Sequence, residues 1–154
     1  MTPALWDTLR LGMRPANIAR VGPASNLHHV ALTVSDLDAS ARWYSDVLGL
    51  VERFREDSPT RRAVVLAFPT GGGDLGLVEH VGSDSRPFDA TVTGLDHVAF
   101  SVASQEEMQE RARRLDELGV PHSGPIPIPP GEILNFKDPD GIALAIFWDR
   151  PQEP

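Results

Sequence analysis

The sequence predicts an α+β fold built from two copies of one βαβββ unit, and three internal echoes carry that prediction. His29-Val30-Ala31-Leu32-Thr33-Val34 returns as His97-Val98-Ala99-Phe100-Ser101-Val102, about 70 residues later. Asp46-Val47-Leu48-Gly49-Leu50 is answered by Asp116-Glu117-Leu118-Gly119-Val120, and Asp74-Leu75-Gly76-Leu77 by Ile142-Ala143-Leu144-Ala145. Similarity repeated at one long period marks a repeated supersecondary unit. A unit of about 60 residues is marginal alone, so the two copies are expected to share buried surface.

Each element has a local cause. Residues 1–24 lie outside the repeat as an N-terminal extension. Leu5, Trp6, Leu9 and Met13 fall near helical spacing, and Pro15 and Pro23 interrupt it. Both a disordered leader and an arm that packs on the body or on a partner subunit fit this pattern. The first unit spans 25–81. Residues 29–34 alternate and are rich in β-branched side chains, which predicts a strand. Ser35 or Asp36 then caps a helix running to about Leu48, with Leu37, Ala41, Tyr44 and Leu48 on one face and Gly49 closing it. Strands follow at 50–55, 62–68 and 75–80, the last two separated by the turn Thr70-Gly71-Gly72-Gly73.

A polar linker covers 82–93, and the second unit spans 94–149. Its strand is 97–102. Ser104 with Glu107 forms a capping box that opens a helix to Leu118, closed by Gly119. Pro125, Pro127, Pro129 and Pro130 exclude a central strand at 125–130 and fit an edge strand or loop. Strands are expected at 132–137 and 142–148, around the turn Asp138-Pro139-Asp140-Gly141, with a frayed tail at 150–154.

Composition narrows the function. The 154 residues carry a formal net charge of −8, contrary to the cationic clusters that nucleic-acid binding needs. With no cysteine, disulfides, thiolate nucleophiles and thiolate-ligated metals are excluded. Any metal must be held by His, Asp or Glu. No run of 18 apolar residues predicts a membrane span, and no secretory signal is recognisable, so a cytoplasmic location is expected by default.

With these landmarks the chain resembles the vicinal oxygen chelate superfamily: glyoxalase I, extradiol dioxygenases, fosfomycin- and bleomycin-resistance proteins and methylmalonyl-CoA epimerase. The matching motifs are His29-Val-Ala-Leu-Thr-Val-Ser-Asp36, Trp43-Tyr44-Ser-Asp-Val-Leu-Gly-Leu50, Gly94-Leu-Asp-His97-Val-Ala-Phe-Ser-Val102 and Asp138-Pro-Asp-Gly-Ile-Ala-Leu144. The resemblance covers about residues 26–149. It implies a curved mixed sheet whose central cup holds a divalent metal and a small substrate, and a homodimer is plausible because such cups often pair across subunits.

Strand alternation assigns faces within that cup. Val30, Leu32 and Val34 should pack under the helix, leaving His29, Ala31 and Thr33 inward; likewise Val98, Phe100 and Val102 pack, and His97, Ala99 and Ser101 turn inward. Two histidines at matched positions could be metal ligands for Zn, Fe, Mn or Ni, or could line a polar pocket as hydrogen-bonding groups. The resemblance places the remaining ligands, usually carboxylates, on the last strand of each unit, where this chain has Gly76 and Ala145. His80 shares the Gly76 face and completes a His29, His80, His97 set only if its strand is shifted or bulged; Glu79 points away. The expected substrate-binding residues are Thr33, Gly76, Val78, Ser101, Ala145 and Phe147. His28 should face away from the cup, and His122 should approach its rim. Two functions follow, the first preferred and the second its alternative. One is a metal-dependent lyase, isomerase or dioxygenase, with glyoxalase I itself improbable because its metal-bound glutamate is replaced. The other is a metal-free binding or drug-sequestering protein, whose cavity Gly76 and Ala145 would widen.

Overall fold

The computed structural model describes residues 27–84 and 86–151. The N-terminal extension at 1–24 therefore lies outside the described residues. Elements run β1 (His29–Thr33), α1 (Leu37–Leu48), β2 (Val51–Asp57), β3 (Arg61–Ala67), β4 (Asp74–His80), β5 (Val98–Ser101), α2 (Gln105–Glu117), β6 (Ile126–Ile128), β7 (Gly131–Lys137) and β8 (Ala143–Asp149). They form two mixed four-stranded sheets, β1-β4-β3-β2 and β5-β8-β7-β6, each with one parallel pair beside two antiparallel ones. The second order repeats the first, as a duplicated unit requires.

Local chemistry fixes both helices. Asp36 caps α1 by accepting the Ala39 amide at 2.9 Å, and Gly49 ends it in the left-handed region at φ 72° while donating to the Ser45 carbonyl. The Glu79 carboxylate accepts the Leu37 amide at 2.9 Å, placing an anion at the positive end of the helix. At α2 Ser104 and Glu107 make a shifted capping box: Glu107 N–H donates to Ser104 Oγ at 3.2 Å, and Glu107 Oε2 accepts the amide of Ala103, one residue before the cap, at 3.0 Å.

Alternation sorts the sheets. Leu32, Val64, Leu66, Leu75 and Leu77 are buried on the face of the first sheet that meets α1, and Leu134, Phe136, Leu144 and Ile146 are buried in the second. Full burial of each such side chain contributes about 1.5–3 kcal/mol. Val30, Val98, Phe100 and Val102 are only half-buried at the fringe of this core. On the opposite faces Ala31, Thr33, Ala99 and Ser101 are exposed, while Gly76 and Ala145 beside them are buried.

The two halves are tied by α1. Tyr44 Oη donates to Asp138 Oδ2 at 2.9 Å across a buried contact, and the Trp43 ring lies 6.2 Å from Phe136. The Ser35 amide donates to Asp140 Oδ2 at 3.1 Å. From the other side, Arg111 and Arg114 of α2 donate to the carbonyls of Leu48 and Asp46 at 3.4 and 3.1 Å, supplying cations to the negative end of α1.

A cleft at the seam of the two sheets

β1 and β5 are both edge strands. A cleft of about 310 Å³ opens where they approach each other, closed at one end by the Gly71–Gly73 turn. Its apolar lining is the buried Leu75 with four residues from the fringe of the core, Val30, Phe68, Val98 and Phe100. The Phe68 and Phe100 rings are 5.8 Å apart and tilted by 44°. Its rim is polar, with His28, His29, Thr70, Asp74 and Ser101. The volume falls at the low end of small-molecule sites, about 300–1,000 Å³.

The glycine turn is held there by register. His29 is the Cα partner of Asp74 in the parallel β1–β4 pair, and the Asp74 amide donates to the His28 carbonyl at 3.2 Å. Gly73 comes so close that a Cβ added to it would sit 3.1 Å from that same carbonyl oxygen, and its φ of 112° already disfavours any L side chain. His28 lies before β1 begins, so strand alternation does not govern its direction. Contrary to the expectation that it faces away, His28 lines the cleft with His29, and their Nδ1 atoms are 2.9 Å apart. Asp74 is bound by Arg53 Nη1 at 3.0 Å. Arg53 sits at the β2 bulge between Glu52 and Phe54, which redirects the strand.

The residues expected to form the site are dispersed. His29 and Ser101 line the cleft. His97 precedes β5 rather than opening it, is not among the lining residues and contacts the carboxylate of its neighbour Asp96. Thr33, Gly76 and Val78 lie on the face of the first sheet away from α1, where the buried Gly76 is paired with Ala31 and Val78 with Thr33. Ala145 and Phe147 hold the equivalent places in the second sheet, paired with Ala99 and Ser101. β4 has no bulge in either of its pairings. His80 therefore lies six residues from Asp74, the partner of His29, roughly 20 Å along the strand at about 3.3 Å per residue. The structure does not bring His80 to His29. His122 is not at a rim: its Nε2 meets Asp116 at 3.0 Å and its Nδ1 accepts the Gly124 amide at 3.0 Å, so it fastens the end of α2 to the following loop. Among the lining groups that the sequence did not point to as site residues are His28, Phe68 and the glycine turn. The strand boundaries around 71–74 contained a signal, because a parallel partner for residue 29 must start just after that turn.

Several ionisable groups outside the cleft are held away from their ordinary range. Burial raises the carboxyl of Asp138, against donors from Tyr44 and the Ile142 amide. The Arg62 and Arg55 guanidiniums lower Asp38, and Arg55 lowers Glu52.

A family model described as the Glyoxalase/Bleomycin resistance protein/Dioxygenase superfamily matches residues 26–146. The chain belongs to this superfamily. Among solved structures it is similar to the glyoxylase/bleomycin resistance protein/dioxygenase domain of Frankia sp. EAN1pec, with 38% identity and a TM-score of 0.79 over 83% of this chain and 100% of that one. It shares its fold with the fosfomycin resistance protein FosX of Listeria monocytogenes, crystallised as a mutant with Mn(II) and a dihydroxypropylphosphonic acid; identity is 20% and the TM-score 0.62, over 80% of this chain and 92% of that one. The same holds for TnmS3, an antibiotic binding protein of Streptomyces sp. CB03234, at 20% identity and a TM-score of 0.67, over 84% of this chain and 100% of that one. A fold that hosts both a metal complex and an antibiotic binder leaves function to the site. No helix among the described residues is long and apolar enough to cross a membrane.

Proposed function

We propose that this superfamily member binds a small organic molecule in the cleft between β1 and β5, by shape and apolar contact, with His29 and Ser101 at its rim and without a resident metal ion. The observation that carries this reading is the donor set. At the two positions where the resemblance calls for carboxylates, the chain has Gly76 and Ala145, neither of which has a side-chain ligand. Among the described residues no group of three or more His, Asp or Glu side chains is arranged to hold a metal. Catalytic sites in general supply three protein ligands and an open position. The residues present do not fit the ion.

Thermal shift against a panel of small molecules, with and without a chelator, tests the proposal. A ligand present at about a hundredfold excess over its Kd adds about 2.7 kcal/mol, and that stabilisation should be indifferent to chelator. The matched placement of His29 and His97 favours a second reading, a metal-dependent lyase, isomerase or dioxygenase. Ligand stabilisation abolished by chelator, with close to one equivalent of Zn, Ni, Mn or Fe(II) retained after loading, would replace the first reading by the second.

A further inference from the structure

We infer that the ligand class of this cleft is an apolar molecule bearing an acidic headgroup, with its body over Phe68 and Phe100 and its acid among His28, His29 and the Gly71–Gly73 turn. The inference rests on the small-molecule reading above and narrows it.

Only one hydrogen can lie between the two Nδ1 atoms of His28 and His29 at 2.9 Å. The ring that accepts it, when neutral, must carry its own proton on Nε2. One of these two exposed rings therefore always presents an N–H donor on its free side. In the turn, the Gly71 amide donates to the Phe68 carbonyl and the Asp74 amide to His28. The Gly72 and Gly73 amides have no acceptor among the described residues. Asp74, the one carboxylate on the lining, is largely buried, with 12% of its side chain exposed, and is held by Arg53. The acid is thus engaged while several donors are free. A headgroup with acceptors only, such as a carboxylate, complements that set, and the apolar floor takes the rest of the molecule.

The glycine run also has a geometric role. Gly71, Gly72 and Gly73 all hold positive φ, at 83°, 107° and 112°. No other residue type adopts three such conformations in succession without strain. The backbone can therefore approach His28 and leave its amides uncovered by side chains.

2-Naphthoate and its neutral counterpart 2-naphthamide are suitable probes, titrated by calorimetry and followed through the backbone amide resonances of the labelled protein. The acid should bind about tenfold tighter or better than the amide, as expected for a hydrogen bond to a charged group. It should also shift the Gly72 and Gly73 resonances. In the double variant His28→Phe, His29→Phe that preference should fall several-fold while amide binding persists; if the variant does not fold, the wild-type ratio and the glycine shifts decide alone. Equal binding of acid and amide overturns the acidic headgroup and leaves small-molecule binding standing. Glycine resonances unmoved by the acid at millimolar concentration overturn the inference, and the compound panel then decides the broader reading separately.

Discussion

Removing one oxygen at Tyr44 tests the tie between the two halves. Tyr44 is fully buried and its hydroxyl donates to Asp138 Oδ2 at 2.9 Å. Asp138 Oδ1 is satisfied by the amides of Asp140 and Ile142 at 3.0 and 2.8 Å. Tyr44→Phe keeps the ring and takes the donor from a carboxylate that is 6% exposed. A hydrogen bond to a charged group is worth about 1.5–3 kcal/mol, so the variant should lose about that much at pH 7. For a domain of this size that is a fall in Tm of roughly 4–12 °C.

The pH dependence sharpens the test. Burial raises the Asp138 carboxyl, so the folded state takes up this proton more readily than the unfolded chain does. The group's contribution to stability is fully present below its unfolded pKa and is lost as pH rises through the folded value. Tyr44 opposes that shift by favouring the charged form, while its own hydroxyl is pushed far up by burial and by Asp138 and so stays a donor. Without it the carboxyl rises further, and the cost of the substitution should shrink as pH falls from 7 toward about 4. Asp38 and Glu52, lowered by arginines, lose their contribution only at the acid end of that range and below it; comparing variant with parent at each pH cancels them. Urea denaturation at several pH values makes the measurement. A penalty that is the same at every pH, or below about 0.5 kcal/mol, would refute the reasoning.

Three further substitutions follow from single contacts. A Cβ on Gly131 would sit 1.8 Å from the Trp148 carbonyl oxygen, so Gly131→Ala must displace backbone at the β7–β8 end and should cost about 3 kcal/mol or more by denaturant titration. A Cβ on Gly76 would lie 3.1 Å from that of Ala31. Gly76→Ala should therefore cost about 1 kcal/mol, and Ala31→Gly in the same chain should relieve the clash as read by a double-mutant cycle. Ser104→Ala removes the acceptor for the Glu107 amide and should lower stability by about 1 kcal/mol, with loss of helical signal confined to the start of α2.

Periodicity and caps made most of the fold legible. The helix ends at Asp36, Gly49 and Ser104 are local events, and the residues that cause them are adjacent in sequence. Proline placement allowed an edge strand or a loop at 125–130, and β6 is the edge strand, paired only with β7. Alternation put Leu75, Leu77 and Glu79 on the helix side of β4, where Glu79 now caps α1. The site was less legible for two reasons. Alternation describes residues inside strands, and His28 and His97 both lie just outside them. The cleft also needs two edge strands and a turn brought together from three parts of the chain, which no short window of sequence contains. The contact between Tyr44 and Asp138 was hidden for the same reason, although each residue stood in a motif of its own.

The bond between residues 94 positions apart also constrains how the protein can be cut. Most strand pairing stays within one half, yet the helix that covers the first sheet also anchors the aspartate turn of the second. Either half expressed without the other would expose that seam and lose a partner for a buried polar group. Ancestral duplication is visible in the chain, but unfolding should be a single cooperative transition, and fragments divided near residue 90 should regain structure only when mixed.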